Sequence, residues 1–241
     1  MSTAPKPIPP RERLIFAMDV AGPVEARRLV DQLGDSVVFY KLGLELFMAG
    51  GYFELVDWMV ARGKKVFVDL KFFDVPATVG AAVRQLRDRG VAFATVHGNQ
   101  AIMEAAAAAK GEVKILAVTV LTSLDRGDLD DLGFACDVEK LVLSRARRAF
   151  EAGCDGVISS GLEVPMLRRH VDERLVVVTP GIRPVENKPV DDQKRTVDVA
   201  QAFANGADYI VVGRPIRDAA DPRAAAEAVQ ATIAGTFPQA V

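Results

Sequence analysis

Lys65-Val66-Phe67-Val68-Asp69-Leu70-Lys71-Phe72-Phe73-Asp74-Val75-Pro76-Ala77-Thr78 begins as a β-branched and aromatic run, gains charge at its far end, and passes through Pro76 toward an alanine-rich segment. A run this continuously apolar belongs to a parallel strand covered on both faces, and the helix-forming stretch behind it completes a βα unit. Seven other runs share the plan: Leu14 to Val20, Val37 to Gly43, Phe93 to Gly98, Ile115 to Leu121, Gly156 to Ser160, Leu175 to Ile182 and Tyr209 to Ile216. Between and after the eight runs, periodicity predicts helices from Pro23 to Leu33, Glu45 to Arg62, Val79 to Arg89 and Ala101 to Ala109. It predicts four more from Val138 to Ala152, Glu163 to His170, Val197 to Asn205 and Ala224 to Ile233.

Eight alternating pairs fit two α/β architectures, a closed barrel or an open doubly wound sheet. The open sheet advertises a glycine-rich turn after its first strand. Here that strand runs into Asp19-Val20-Ala21-Gly22-Pro23 instead, which favours an α/β fold of the (β/α)8 TIM-barrel type. The phrases Arg89-Gly90-Val91, Gly153-Cys154-Asp155 and Gly206-Ala207-Asp208 are similar helix-to-strand turns, and no linker interrupts the series. A single barrel domain over residues 14–241 is expected, with residues 1–13 as a flexible leader.

Composition supports this and narrows the function. The chain has 241 residues, 50% hydrophobic and 26% charged, enough to bury one sizeable core. Thirty basic residues stand against 32 acidic ones, a formal net charge of −2, so neither a nucleic-acid footprint nor an anionic-membrane patch is indicated. An anionic ligand must therefore be held locally. Cys136 and Cys154 lack metal or redox spacing, which suits a reducing compartment. The opening MSTAPKPIPPRER has no apolar core of a signal peptide, and no apolar run reaches the ~18 residues of a membrane span, so a cytoplasmic location is expected.

In such a barrel the working groups gather where strands end. Residues two apart on a strand point the same way, so Asp69 and Lys71 are expected on one face at the barrel mouth. Asp74 lies just beyond, Pro76 stiffens the loop, and Thr78 is placed to cap the next helix. With Lys41 from the neighbouring strand these form a neutral Lys-Asp-Lys-Asp array, since buried carboxylates need adjacent cations. Val212-Gly213-Arg214-Pro215 reads as a phosphate site, with backbone N–H groups exposed by the glycine and a bidentate arginine. Thr179-Pro180-Gly181-Ile182-Arg183-Pro184 opens a polar connection reaching Asp192-Gln193-Lys194-Arg195, long enough for a lid. His97 is expected as a hydrogen-bonded core histidine without a catalytic role. Glu45 and Asp57 on a helix, and Asp125, Asp128, Asp130 and Asp131 on a loop, are expected as solvated acidic faces and not a metal site.

Taken together these residues resemble the orotidine 5′-monophosphate decarboxylase family, from Leu14 to Pro222. The family motif Asp-x-Lys-x-x-Asp-Ile-Pro-x-Thr stands here as Asp69, Lys71, Asp74, Val75, Pro76 and Thr78, with valine for isoleucine. Asp19, Lys41, Leu121-Thr122-Ser123, Thr179-Pro180-Gly181-Ile182-Arg183 and Gly213-Arg214 match other family landmarks in order. The resemblance implies cofactor-free and metal-free decarboxylation of orotidine 5′-monophosphate to UMP. It makes Lys71 the acid that protonates C6, places Asp69 and Asp74 beside the substrate carboxylate, and has Lys41 orient Asp69 and the ribose. Asp19 would bind ribose hydroxyls, and Thr122 and Ser123 the pyrimidine edge. Pro180 lies in the matched segment after strand seven, and Arg183, Gln193, Gly213 and Arg214 would grip the phosphate. The same resemblance implies a homodimer in which Asp74 and Thr78 reach the partner's active site.

Two rivals remain at this level. Metal-dependent sugar-phosphate decarboxylases and hexulose-phosphate synthases of the same superfamily share a related Asp-x-Lys-x-x-Asp motif, but they place an acidic ligand where Lys41 stands. A non-catalytic nucleotide-binding barrel would need a broken charge array, whereas Lys41, Asp69, Lys71 and Asp74 are all present.

Overall fold

The computed structural model describes residues 6–183 and 195–237. Eight parallel strands close on themselves in sequence order. In chain order the elements are β1 (Leu14–Ala17), α1 (Pro23–Leu33), β2 (Phe39–Leu42), α2 (Leu44–Met48), α3 (Tyr52–Val60), β3 (Lys65–Phe72), α4 (Pro76–Arg84), β4 (Phe93–Val96) and α5 (Gln100–Ala109). They continue with β5 (Lys114–Val118), α6 (Arg126–Asp131), α7 (Val138–Glu151), β6 (Gly156–Ile158), α8 (Val164–His170), β7 (Val176–Thr179), α9 (Val199–Ala204), β8 (Tyr209–Val212), α10 (Arg214–Arg217) and α11 (Pro222–Thr236). β1 pairs with β2 through Ile15 and Phe39, and with β8 through Leu14 and Ile210, which closes the ring.

The alternation of side chains along each strand divides the apolar residues into two cores. One fills the barrel, with Ile15, Phe39, Phe67, Phe93, Leu116, Val176 and Tyr209 in contact. Its floor is aromatic: Phe39 and Phe93 have ring centroids 5.0 Å apart, and Phe93 and Tyr209 meet edge-to-face at 5.1 Å. The other core, including Phe16, Tyr40, Val66 and Val68, lies between the strands and the surrounding helices. Two residues further along from the floor aromatics come Lys41, Asp69 and Thr95, so the same alternation puts a polar layer on an apolar base.

The predicted helix from Glu45 to Arg62 is two helices, because Gly50 and Gly51 adopt φ of +79° and +66°, left-handed values that break helical geometry. The eighth strand stops at Val212 and not at Ile216, since α10 begins at Arg214. The aspartates expected on a loop form α6, whose Asp125 and Asp128 make a reciprocal capping box. Thr78 does not cap α4: Pro76 starts that helix, and Val75 is its N-cap. Part of the expected leader is packed in place. Ile8 rests on the barrel-interior cluster, Lys6 pairs with Asp208 at 2.9 Å, and Arg13 is buried. No helix among the described residues is long and apolar enough to cross a membrane.

Candidate active site

The polar layer sits at the C-terminal mouth of the barrel. Lys41 on β2 reaches Asp69 on β3 at 3.3 Å and Asp19, just past β1, at 3.2 Å. Lys71 Nζ donates to Oδ1 of Asp69 at 2.9 Å. The Thr95 hydroxyl, from β4, donates to the same oxygen at 2.9 Å. Asp69 is only 8% exposed, and a lone buried carboxylate would take up a proton. Burial does press its pKa upward, but Lys41, Lys71 and the Lys71 and Thr95 hydrogen bonds outweigh it and hold the carboxyl below its usual range. Lys41 shows the mirror image: burial favours its neutral form, and Asp69 and Asp19 more than compensate, raising its pKa. The centre is therefore built of fixed charges in a largely dry setting.

Simple strand alternation does not by itself explain how Asp69 and Lys71 meet. The β3 to β4 register shifts between Val68 and Phe72, and Lys71 has φ of +48°, the one described non-glycine residue with positive φ. A left-handed lysine costs on the order of 1 kcal/mol or more and persists where its surroundings hold it. Here the backbone N–H of Lys71 donates to Thr95 Oγ1 at 2.9 Å. Thr95 thus fixes both the lysine's backbone and the aspartate's side chain, and it was absent from the residues expected from sequence. Period-two spacing from the inward Phe93 was the signal that could have found it.

Beside this cluster lies a cavity of about 250 Å³. Asp19, Lys41 and Lys71 line one side, and Thr122, Ser123, Pro180, Arg183, Gly213 and Arg214 line the rest. Val118, Ile158 and Val211 supply apolar wall. Most of the expected site residues therefore converge on one space, with cations at two places around it.

Three do not. Asp74 was expected in the charge array, but it stands exposed, its carboxylate accepting from the Val75 N–H at 2.6 Å, and Thr78 is exposed on the first turn of α4. Neither lines the cavity. Asp74 is exposed in the β3–α4 loop whereas Asp69 is buried on β3, so the two carboxylates sit in different surroundings despite their closeness in sequence. Gln193, with Pro184 and the rest of the expected lid through Lys194, lies outside the described residues. His97 packs edge-on against Phe73 at 5.4 Å, and burial, with Arg145 and Lys71 nearby, holds its pKa below the usual range. Among the described residues no group of three or more His, Cys, Asp or Glu side chains is arranged to hold a metal ion.

A family model described as Orotidine 5'-phosphate decarboxylase / HUMPS family matches residues 12–229. The orotidine 5'-phosphate decarboxylase of Methylococcus capsulatus (Bath) is 70% identical over 232 residues, 96% of either chain. That of Xanthomonas euvesicatoria pv. vesicatoria is 53% identical over 242 residues, 99% of either chain. The crystal structure of orotidine 5'-phosphate decarboxylase from Lactobacillus acidophilus aligns with a TM-score of 0.82 at 34% identity, covering 92% of this chain and 99% of that one. The parallel barrel, the Lys-Asp-Lys cluster at its mouth and this near full-length identity point the same way, and the chain belongs to the orotidine 5′-phosphate decarboxylase family.

Proposed function

We propose that Lys71, Asp69 and Lys41 carry the family reaction in this chain, the decarboxylation of orotidine 5′-monophosphate to UMP and CO2, the last step of de novo UMP synthesis. The observation that carries this reading is the buried, ionised Asp69 held between two lysines, both of which line the cavity. When the C6–carboxylate bond breaks, its electron pair stays on C6, a vinylic carbon with no conjugated sink. Fixed positive charge is the means of stabilising that pair. Lys71 supplies it, then transfers its proton to C6 and is reprotonated from solvent. A substrate carboxylate brought near Asp69 is repelled in the ground state and relieved as neutral CO2 leaves.

Around this centre, Asp19 and Lys41 hold the ribose, Thr122 and Ser123 the pyrimidine edge, and Arg183, Gly213, Arg214 and Gln193 the phosphate, with Pro180 shaping the wall. Gly213 and Arg214 open a helix after the last strand, the customary phosphate position of this barrel. The reading includes a cofactor-free, cytoplasmic homodimer, with nucleic acid and membrane playing no part. Asp74 and Thr78 serve the neighbouring subunit, which accounts for their exposure here. Phe73 and Val75, the chain neighbours of Asp74, are 69% and 63% exposed, the kind of apolar surface that a partner covers.

The test follows the loss of orotidine 5′-monophosphate absorbance with purified protein, with and without EDTA, beside a Lys71→Ala variant. Conversion to UMP is expected to be insensitive to EDTA and to fall by about three orders of magnitude in the variant. Binding without turnover, or metal-dependent turnover of a sugar phosphate instead, rejects the reading.

A further inference from the structure

A second buried ion pair lies at the same end of the barrel. Arg195 pairs with Glu163, their side chains 13% and 4% exposed. Glu163 stands at the start of α8, and its other oxygen accepts from the Ser159 hydroxyl at 3.2 Å. The second terminal nitrogen of Arg195 donates to the carbonyl of Leu121 at 3.0 Å and more weakly to that of Val120 at 3.4 Å. Those carbonyls belong to the loop that carries Thr122 and Ser123. The loop lies beyond the end of β5 at Val118, where the sheet ladder no longer fixes it. Arg195 itself does not line the cavity.

The guanidinium is well suited to this place. Its planar fork sets a fixed distance between a carboxylate on one edge and carbonyls on the other, which the single ammonium of a lysine cannot do. The backbone around it is also held. The Arg195 carbonyl accepts from the Ser160 hydroxyl at 3.3 Å, and Val197 forms a parallel bridge with Ile182. The Arg183 N–H donates to Val197 at 3.0 Å. The arginine is thus anchored to β6–α8 and β7 while its fork reaches the β5–α6 loop.

We propose that Arg195, held by Glu163, is a positioning residue that sets the place of Thr122 and Ser123, so that recognition of the pyrimidine depends on a side chain that does not touch it. The inference rests on the assignment of Thr122 and Ser123 to the pyrimidine edge. Its signature is selective: contacts to the base weaken when the pair is broken, and contacts to ribose and phosphate do not.

Calorimetric binding of UMP and of ribose 5-phosphate separates these contributions. Arg195→Lys and Glu163→Gln are each expected to weaken UMP roughly tenfold, as the loss of a charge-assisted hydrogen bond does, with ribose 5-phosphate changed less than about twofold. Added guanidinium ion restores UMP binding to Arg195→Ala. Parallel loss of both ligands, or losses that follow a fall in melting temperature, overturn the proposal in favour of a general structural role. Ser123→Ala is the control. If it leaves UMP binding unchanged, the pyrimidine assignment fails and takes the inference with it. If it weakens UMP while the Arg195 variants do not, the positioning role alone fails.

Discussion

The hydroxyl of Thr95 donates to Asp69 Oδ1 at 2.9 Å while accepting the backbone N–H of Lys71 at the same distance. One fully buried side chain thus joins the two residues on which the chemistry depends. Thr95→Val keeps the shape and removes both bonds, leaving a buried carboxylate short of one donor and a strained backbone short of its acceptor. The expected loss is about 1 to 3 kcal/mol of stability and a tenfold to hundredfold fall in kcat, with Thr95→Ser recovering most of both. Melting curves and steady-state kinetics measure the two effects. A valine variant with normal kcat removes Thr95 from the site.

The charge cluster fixes the sign of one pH dependence. Asp69 has a folded pKa below its unfolded value, so its contribution is complete above about pH 4 and fades as pH falls through the lower folded value. Lys41 has a raised folded pKa, so its contribution is complete below about pH 10 and fades as pH rises through the higher value. Chemical unfolding of the wild type and Asp69→Asn between pH 2 and pH 8 is expected to show a constant stability gap near neutrality that narrows below about pH 4. An equal gap at every pH contradicts an ionised Asp69 in the folded state.

Exposure of Asp74 yields a test of shared active sites. Asp74→Ala and Lys71→Ala homodimers are each expected to be nearly inactive. In a mixed dimer, however, one site receives Lys71 from one subunit and Asp74 from the other. Equal mixing after subunit exchange should restore about a quarter of wild-type activity, since half of the dimers are mixed and each holds one complete site. No recovery despite proven exchange means that Asp74 acts within its own chain or not at all.

The eight strands were legible because a strand buried on both faces must be apolar throughout, and the charge on Lys41, Asp69 and Lys71 was legible because it interrupts that rule. What escaped notice depended on backbone geometry that residue type does not encode. The pair Asp69 and Lys71 was expected from alternation, yet the contact is made across a register shift with a left-handed Lys71, and Asp74 beyond it is exposed. Arg195 and Glu163 lie 32 residues apart, one closing the polar connection after the seventh run and the other opening a predicted helix, and nothing in either segment shows that they will pair. The proline-rich start looked unstructured because no local pattern shows that Lys6 will meet Asp208 across the whole length of the chain.

That last contact leads to a stability prediction at the opposite end of the barrel. Asp208, 5% exposed, accepts from Lys6 at 2.9 and 3.0 Å, from Arg168 at 2.7 Å and from the Val177 N–H at 2.9 Å. Replacing it with asparagine keeps the size but leaves two cations facing a neutral amide in a mostly dry setting. Breaking a buried pair from one side typically removes about 3 kcal/mol or more. For a domain of this length that is a fall of roughly 6 to 12 °C in Tm. The N-terminal face of such barrels serves stability and the C-terminal face chemistry, so kcat and KM of Asp208→Asn should match the wild type at a temperature where both are folded. Removing residues 1–8 deletes Lys6 and Ile8 and should reproduce part of the same loss. An Asp208→Asn protein that melts normally but turns over slowly would place the residue in a network reaching the active site, which the geometry of this face opposes.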